Sequence, residues 1–96
     1  TALSANIATC RASGRCTVLA ADATRPPAGT RCSLVFLDPP YGANLVPQAV
    51  LALAAAGWTA PGTLLVAEIG RDDPPPVEVP LDTWTHGAAR MVAWRL

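Results

Sequence analysis

Residues 34–42 read Leu-Val-Phe-Leu-Asp-Pro-Pro-Tyr-Gly, and this stretch decides the fold class of the 96-residue chain. Four consecutive apolar residues are typical of a strand that is buried on both faces, as in a parallel sheet. The two prolines that follow Asp38 end the strand, since proline has no backbone N–H to donate. In open α/β sheets, ligands bind at the carboxyl ends of the strands. We therefore expect Asp38 and its neighbours to lie at a ligand site.

The rest of the chain supplies the elements around this strand. Periodicity and turn residues predict two helices, with Asn44 as the N-cap of the second, and four further strands. The helices are expected at Ala2–Arg11 and Leu45–Ala56, and the strands at Cys16–Ala20, Thr63–Ile69, Val77–Trp84 and Ala88–Leu96. This order predicts an α/β fold with a parallel core and an antiparallel pair of strands at the C-terminal end.

Composition narrows the class of protein. The chain is 51% hydrophobic and 15% charged with zero net charge, which argues against a disordered tail or a polycation. Cys10, Cys16 and Cys32 form no CxxC pair, so we expect small buried side chains rather than a disulfide framework or a zinc site. No signal peptide or bilayer-length apolar run is present, and we expect a cytoplasmic protein without a membrane or metal partner. Oligomeric state is not determined by these features.

The motif at Asp38 suits methyl transfer to an exocyclic amine on a flat base. Such an amine is a poor nucleophile because its lone pair is delocalised into the ring. Acceptors that hold both N–H groups favour a geometry in which the lone pair points at an electrophile, and Asp38 and the Pro39 carbonyl are two such acceptors. Pro40 biases Pro39 toward an extended conformation, which fixes the direction of that carbonyl. Tyr41 offers a ring on which a flipped-out base can stack.

With these residues, the chain resembles the S-adenosylmethionine-dependent amino-methyltransferases that carry an (Asp/Asn)-Pro-Pro-aromatic motif. It is most similar to the family that methylates guanine N2 in small-subunit (16S) ribosomal RNA. The shared pattern includes Asn6-Ile7, Val18-Leu19, Asp22-Ala23, residues 34–42, Gly57-Trp58, Pro61-Gly62 and Leu64–Glu68.

The resemblance implies a Rossmann-like class I methyltransferase sheet, S-adenosylmethionine as cofactor and small-subunit ribosomal RNA as partner. It places Asp38, Pro39, Pro40 and Tyr41 around the target amine. It also makes Asp22 and Ala23 contacts of the cofactor, although a turn or cap role for Asp22 is an equal alternative.

The chain also departs from the family pattern. The glycine-rich loop around the methionine part of the cofactor and the acidic residue for its ribose have no counterpart and would lie upstream of Thr1. We therefore expect residues 1–96 to form a single partial domain, the back half of the fold, without that loop. The two strands that separate Thr17–Ala20 from Leu34–Leu37 in the family would be missing. The strand at Leu34–Leu37 should then expose an apolar edge.

Other interpretations stay open at this stage. The chain is alternatively a non-catalytic truncated remnant, or part of an adenine-N6 or protein glutamine-N5 methyltransferase. Glu68 ends a strand at the same edge as Asp38, and either a site role or a structural partner would explain it. The only histidine, His86, is interpreted as a solvated turn residue, and the three tryptophans as packing residues.

Overall fold

The computed structural model describes residues 1–40, 42 and 44–96. The elements are, in chain order, α1 (Ala2–Thr9), β1 (Leu34–Leu37), α2 (Leu45–Ala55), β2 (Leu64–Gly70), β3 (Asp82–His86) and β4 (Ala89–Arg95). The strands form one sheet in the order β1-β2-β4-β3. The pair β1–β2 is parallel and the other two pairs are antiparallel. The predicted α/β class, a parallel core with an antiparallel C-terminal pair, is confirmed.

Strand β2 lies at the centre of the sheet and carries the core. One of its faces presents Leu65, Ala67 and Ile69, which are buried together with Leu37 of β1. The same face continues across β4, because Leu65 is opposite Trp94 and Ala67 is opposite Val92. Helix α2 covers this face with Val46 and Ala49, both 4% exposed. A strand that pairs on both sides and packs under a helix has to be apolar, which explains its sequence.

Helix α2 begins and ends close to the predicted bounds. Asn44 occupies the N-cap position, but its backbone is left-handed with φ 53° and its side chain makes no capping hydrogen bond. At the other end Gly57 has φ +90°, a conformation that favours glycine. The Trp58 N–H donates to the Leu53 carbonyl and the Gly57 N–H to the Ala54 carbonyl. These two bonds form a Schellman motif, which ends the helix and turns the chain toward β2.

The segment before β1 is held against this turn by Trp58. The indole Nε1 donates to the Pro27 carbonyl at 2.8 Å. The Gly29 N–H donates to the Ala56 carbonyl, and the Cys32 N–H to the Trp58 carbonyl. A Cβ built on Gly29 would overlap the indole ring. The indole ring of Trp58 therefore packs directly against the Gly29 backbone and leaves no room for a side chain at position 29.

The first predicted strand is wrong. Residues 16–20 are not in a strand, and Val18 and Leu19 are 43% and 51% exposed. The physical reason is the absence of a partner among the described residues, since the sheet ends at β1. An isolated run of β-formers gains no ladder hydrogen bonds and buries no apolar face. Helix α1 is likewise peripheral: none of its residues is buried, and it ends at Thr9, two residues before Arg11 takes φ 54°.

The C-terminal hairpin is shifted relative to the prediction. Strand β3 begins at Asp82 rather than Val77, and the turn consists of Gly87 and Ala88. Pro80 has no N–H for a ladder, which limits how far the strand extends toward the N-terminus. Gly87 has φ +59°. The two-residue turns whose twist matches that of the flanking strands require a positive φ at their first central position, which is the position of Gly87.

Two expectations about individual side chains also need correction. Cys10 and Cys16 are exposed and Cys32 is half-buried, all as free thiols, so the cysteines are not core residues. They lie before β1, in a part of the chain that has no buried residue. Among the tryptophans, Trp94 is buried, whereas Trp84 on the edge strand β3 is 47% exposed.

The sheet face opposite α2 presents apolar side chains to solvent. Phe36 is 69% exposed and Leu34 is 46% exposed, both on β1, whose outer edge pairs with no described strand. The expected apolar edge is therefore observed. No helix within the described ranges is long and apolar enough to cross a membrane.

The contact between Gly29 and Trp58 predicts a cost for any side chain at position 29. Gly29→Ala should lower the free energy of unfolding by about 1–3 kcal/mol, because the methyl group overlaps the indole and the ring has to move. Gly14→Ala is the matched control, since a Cβ at Gly14 would meet no atom within 4 Å. It should change the same quantity by less than about 1 kcal/mol. Urea unfolding followed by tryptophan fluorescence measures both, and equal midpoints for the two variants would contradict the packing of Gly29.

Candidate active site

The parallel pairing of β1 and β2 brings two acidic residues to one edge of the sheet. Leu37, the last residue of β1, is opposite Ala67 of β2. Asp38 directly follows the end of β1, whereas Glu68 follows Ala67 and lies two residues before the end of β2, so the two carboxylates lie on neighbouring strands close to the same edge. Asp38 is exposed and Pro39 is half-buried. An open depression of about 380 Å³ is lined by Asp38, Pro39, Pro40 and Glu68. The structure thus brings together the expected site residue Asp38 and the candidate Glu68.

A second depression opens on the other side of the same loop. It has a volume of about 260 Å³ and is more apolar. Its lining consists of Asp22, Ala23, Thr24, Phe36, Leu37, Asp38, Pro39, Pro40, Leu45 and Ala49. We call it the Asp22 cleft. The segment Asp38–Pro40 lines both depressions, so a group bound in either of them lies next to the same carboxylate and the same two prolines.

The carboxylate of Asp22 is held in a local turn. Its Oδ1 accepts from the Thr24 N–H at 2.8 Å and from the Thr24 hydroxyl at 2.7 Å. This is the turn role that the sequence left as an alternative to cofactor binding. It does not exclude a ligand, because both bonds end on Oδ1 and the side chain is exposed at the mouth of the Asp22 cleft.

These bonds also change the acidity of Asp22. The backbone N–H of Thr24, then its hydroxyl and more weakly the charge of Arg25, hold the pKa of Asp22 below its ordinary value. Hydrogen bonds to the charged form favour ionisation. The side chain is consequently an anionic acceptor throughout the neutral range.

Five of the six expected site residues line the same cleft. Asp22 and Ala23 lie in the same cleft as Asp38, Pro39 and Pro40, although the strand expected before Asp22 is absent. The hypothesis for Tyr41 falls outside the described residues. Sequence reasoning missed Thr24 and Phe36. Thr24 could have been found from the Asp-x-Thr spacing, which is typical of a side-chain-closed turn; nothing in the sequence distinguished Phe36 from a core residue.

Metal binding has no support in the described part of the chain. Within residues 1–40, 42 and 44–96, no group of three or more His, Cys, Asp or Glu side chains could hold a metal ion. The polar side chains among the residues that line the two depressions are three carboxylates and one hydroxyl, those of Asp22, Asp38, Glu68 and Thr24. Such groups accept hydrogen bonds from an amine.

Solved structures with the same fold define the class of this chain. A Haemophilus influenzae protein named as a methylase, HI0767, superposes with a TM-score of 0.76 at 25% identity, over 98% of this chain and 63% of that one. An Escherichia coli protein named as a methyltransferase, yhhF, gives 0.76 at 24% identity, over 97% of this chain and 54% of that one. The sheet is therefore a portion of a Rossmann-like methyltransferase fold.

The family itself is shown by sequence. The model of the family described as "Conserved hypothetical protein 95" matches residues 1–90, and the chain belongs to this family. An uncharacterized methylase of Rickettsia prowazekii, RP545, is 40% identical over 40 residues, which are 42% of this chain and 17% of that protein. The chain thus spans less than two thirds of the solved relatives, and its match to the Rickettsia protein covers a smaller part of that protein.

The turn at Asp22 predicts a measurable change in its acidity. Thr24→Val removes the hydroxyl and keeps the backbone N–H, so the pKa of Asp22 should rise toward its ordinary value. Because the folded-state pKa is lowered, the stabilisation by Asp22 is present above its unfolded pKa and is lost as pH falls through the folded value. The variant should shift that loss to higher pH. Carboxyl ¹³C titration by NMR measures the midpoint, and an unchanged midpoint would show that the hydroxyl bond does not form in solution.

Proposed function

We propose that this chain is part of an S-adenosylmethionine-dependent methyltransferase that acts on the exocyclic N2 amine of a guanine in 16S ribosomal RNA. One observation carries the proposal: the segment Asp38–Pro40 lines both the Asp22 cleft and the open depression beside Glu68. A methyl donor and an amine acceptor need adjacent sites with a shared boundary. The names of the relatives, methylases and a methyltransferase, support the same class of reaction.

The Asp22 cleft fits the adenine end of the cofactor. The lining includes the apolar residues Phe36, Leu37 and Leu45, against which a ring can pack, and the Asp22 carboxylate is an acceptor for the exocyclic amine of that ring. The volume of about 260 Å³ is just below the roughly 300–1,000 Å³ of sites that enclose a whole small ligand. The cleft is thus sized for part of the cofactor. When bound, the cofactor supplies an electrophilic methyl group.

The open depression suits the target amine. The Asp38 carboxylate and the Pro39 carbonyl are the acceptors that we assign to its two N–H groups, and Tyr41 is the ring that we assign to stacking against the base. Holding both N–H groups directs the nitrogen lone pair away from the ring, and the amine proton passes during or after transfer to the solvent that reaches this open depression. We propose a small-subunit ribosomal RNA partner in the cytoplasm, by resemblance to the guanine-N2 family. A flipped-out base can enter an open depression more readily than an enclosed cavity.

Methyl transfer from tritiated cofactor separates this proposal from its rivals. The gene product that contains this chain should label naked or ribosome-assembled 16S RNA, and the label should be recovered as N2-methylguanine. Labelled DNA would indicate an adenine-N6 enzyme, and a labelled release-factor peptide would indicate a glutamine-N5 enzyme. No transfer to any of these substrates would favour the non-catalytic remnant.

The role of Asp38 gives a second test of the same proposal. Asp38→Ala should lower kcat by at least about 100-fold, because the amine loses an acceptor that orients it, while the Kd for S-adenosylmethionine changes by less than about threefold. Glu78→Ala is the control, since it removes an exposed carboxylate that lines neither depression. It should retain the full kcat. If Asp38→Ala abolishes cofactor binding instead, Asp38 belongs to the cofactor site and our assignment is wrong.

A further inference from the structure

Asp73 connects the loops that follow the two parallel strands. It lies three residues after Gly70, the end of β2, and its Oδ2 accepts from the Gly70 N–H at 2.9 Å. The same oxygen accepts from the Gly42 N–H at 3.1 Å. Gly42 is two residues beyond Pro40, on the segment that leaves the candidate active site. One carboxylate oxygen therefore joins the end of β2 to the loop after β1.

The position of Asp73 is fixed from the opposite side by β4. Arg90 donates from Nη2 to the Asp73 carbonyl at 2.7 Å, and the Asp73 N–H donates to the Gly70 carbonyl. The Arg71 N–H donates to the Ala88 carbonyl in the hairpin turn. The backbone around Asp73 is thus held to the sheet by hydrogen bonds that are independent of the bond between its side chain and Gly42. A carboxylate held in this way is a preorganised acceptor, because little freedom is lost when the bonds form.

The two loops also meet through their prolines. Pro39 and Pro40 face Pro74 and Pro76 across a small cavity of about 20 Å³, which Asp73 and Glu68 help to line. A volume of this size holds about one water molecule. The two loops therefore line one small cavity together, and the bond from Gly42 to Asp73 is a direct link between them.

We propose that Asp73 is a positioning residue that holds the Asp38–Pro40 acceptors against the end of β2. It touches neither of the two depressions next to Asp38 and acts only through Gly42 and the proline contact. Its importance for methyl transfer rests on the function proposed above. Its effect on the loop does not, and can be measured without any substrate.

Amide exchange with water, measured by NMR, tests the effect on the loop. In Asp73→Ala the Gly42 N–H should exchange at least about tenfold faster, as expected for the loss of a charge-assisted hydrogen bond, and the Asp38 amide signal should shift. The ladder amides of Val92 and Trp94 should keep their rates. A residue that only stabilised the fold would accelerate all of these amides together.

Two further variants show whether a change in Gly42 exchange is due to the Asp73 carboxylate. Asp72→Ala is the matched control, because Asp72 is exposed, adjacent and without a described hydrogen bond to the loop after β1, and it should leave Gly42 exchange unchanged. Asp73→Asn keeps one oxygen that can accept both N–H groups but loses the charge, so its Gly42 exchange should be at least about threefold faster than in Asp72→Ala and slower than in Asp73→Ala. If the alanine variant does not fold, an asparagine rate equal to that of Asp72→Ala overturns the proposal. Gly42 exchange within twofold of Asp72→Ala for both Asp73 variants would overturn the proposal.

Turnover supplies the second measurement, with the gene product that contains this chain. Asp73→Ala should lower kcat by about tenfold or more at an unchanged KM for S-adenosylmethionine, and Asp73→Asn should recover part of it. Faster Gly42 exchange with unchanged kcat would overturn the role in positioning the acceptors. If the unmodified protein transfers no methyl group at all, the proposed function fails, and the exchange rates alone decide whether Asp73 holds the loop.

Discussion

The parallel pairing of β1 with β2 is the constraint on which the rest of the structure depends. Parallel neighbours end at the same edge of a sheet, so the residues that follow Leu37 and Ala67 are brought together whatever the length of chain between them. The connection runs through α2, whose apolar side then covers the face of the strands that it joins. The same pairing thus creates both the core and the candidate active site.

The edge at which these strands end is stiffened in two different ways. Consecutive prolines in each loop restrict the backbone dihedrals before any tertiary contact forms. Asp73 adds bonds that only the folded sheet can make, because Gly42 is 31 residues away in sequence. Stiff loops on a packed scaffold suit a site whose acceptors have to be held at fixed directions. This combination explains why a segment that is open to solvent can still have a defined shape.

The part of the chain before β1 contributes little to the core. None of residues 1–36 is buried, although several of them are apolar. Hydrogen bonds hold them to the sheet and helix α2. Two of these bonds, Trp58–Pro27 and Cys32–Trp58, lie just after the end of α2. These contacts hold the segment between Asp22 and β1, and Asp22 lines the Asp22 cleft. The same lack of burial leaves Phe36 and Leu34 exposed on the outer strand.

The sequence by itself determined the elements whose signals are local. Three features follow from residues that are close along the chain. They are the apolar runs of β1 and β2, the helix between them with its glycine end, and the Asp38-Pro39-Pro40 segment after an apolar strand. Tertiary structure decided the rest. Residues 16–20 have the composition of a strand but no pairing partner among the described residues, and β3 begins only at Asp82, opposite Ala93 of β4. The bond that the Gly42 N–H donates to Asp73 likewise depends on strand pairing, because the two residues are 31 apart in sequence. Local patterns carry propensity, whereas pairing partners and contacts between distant loops exist only once the sheet has formed.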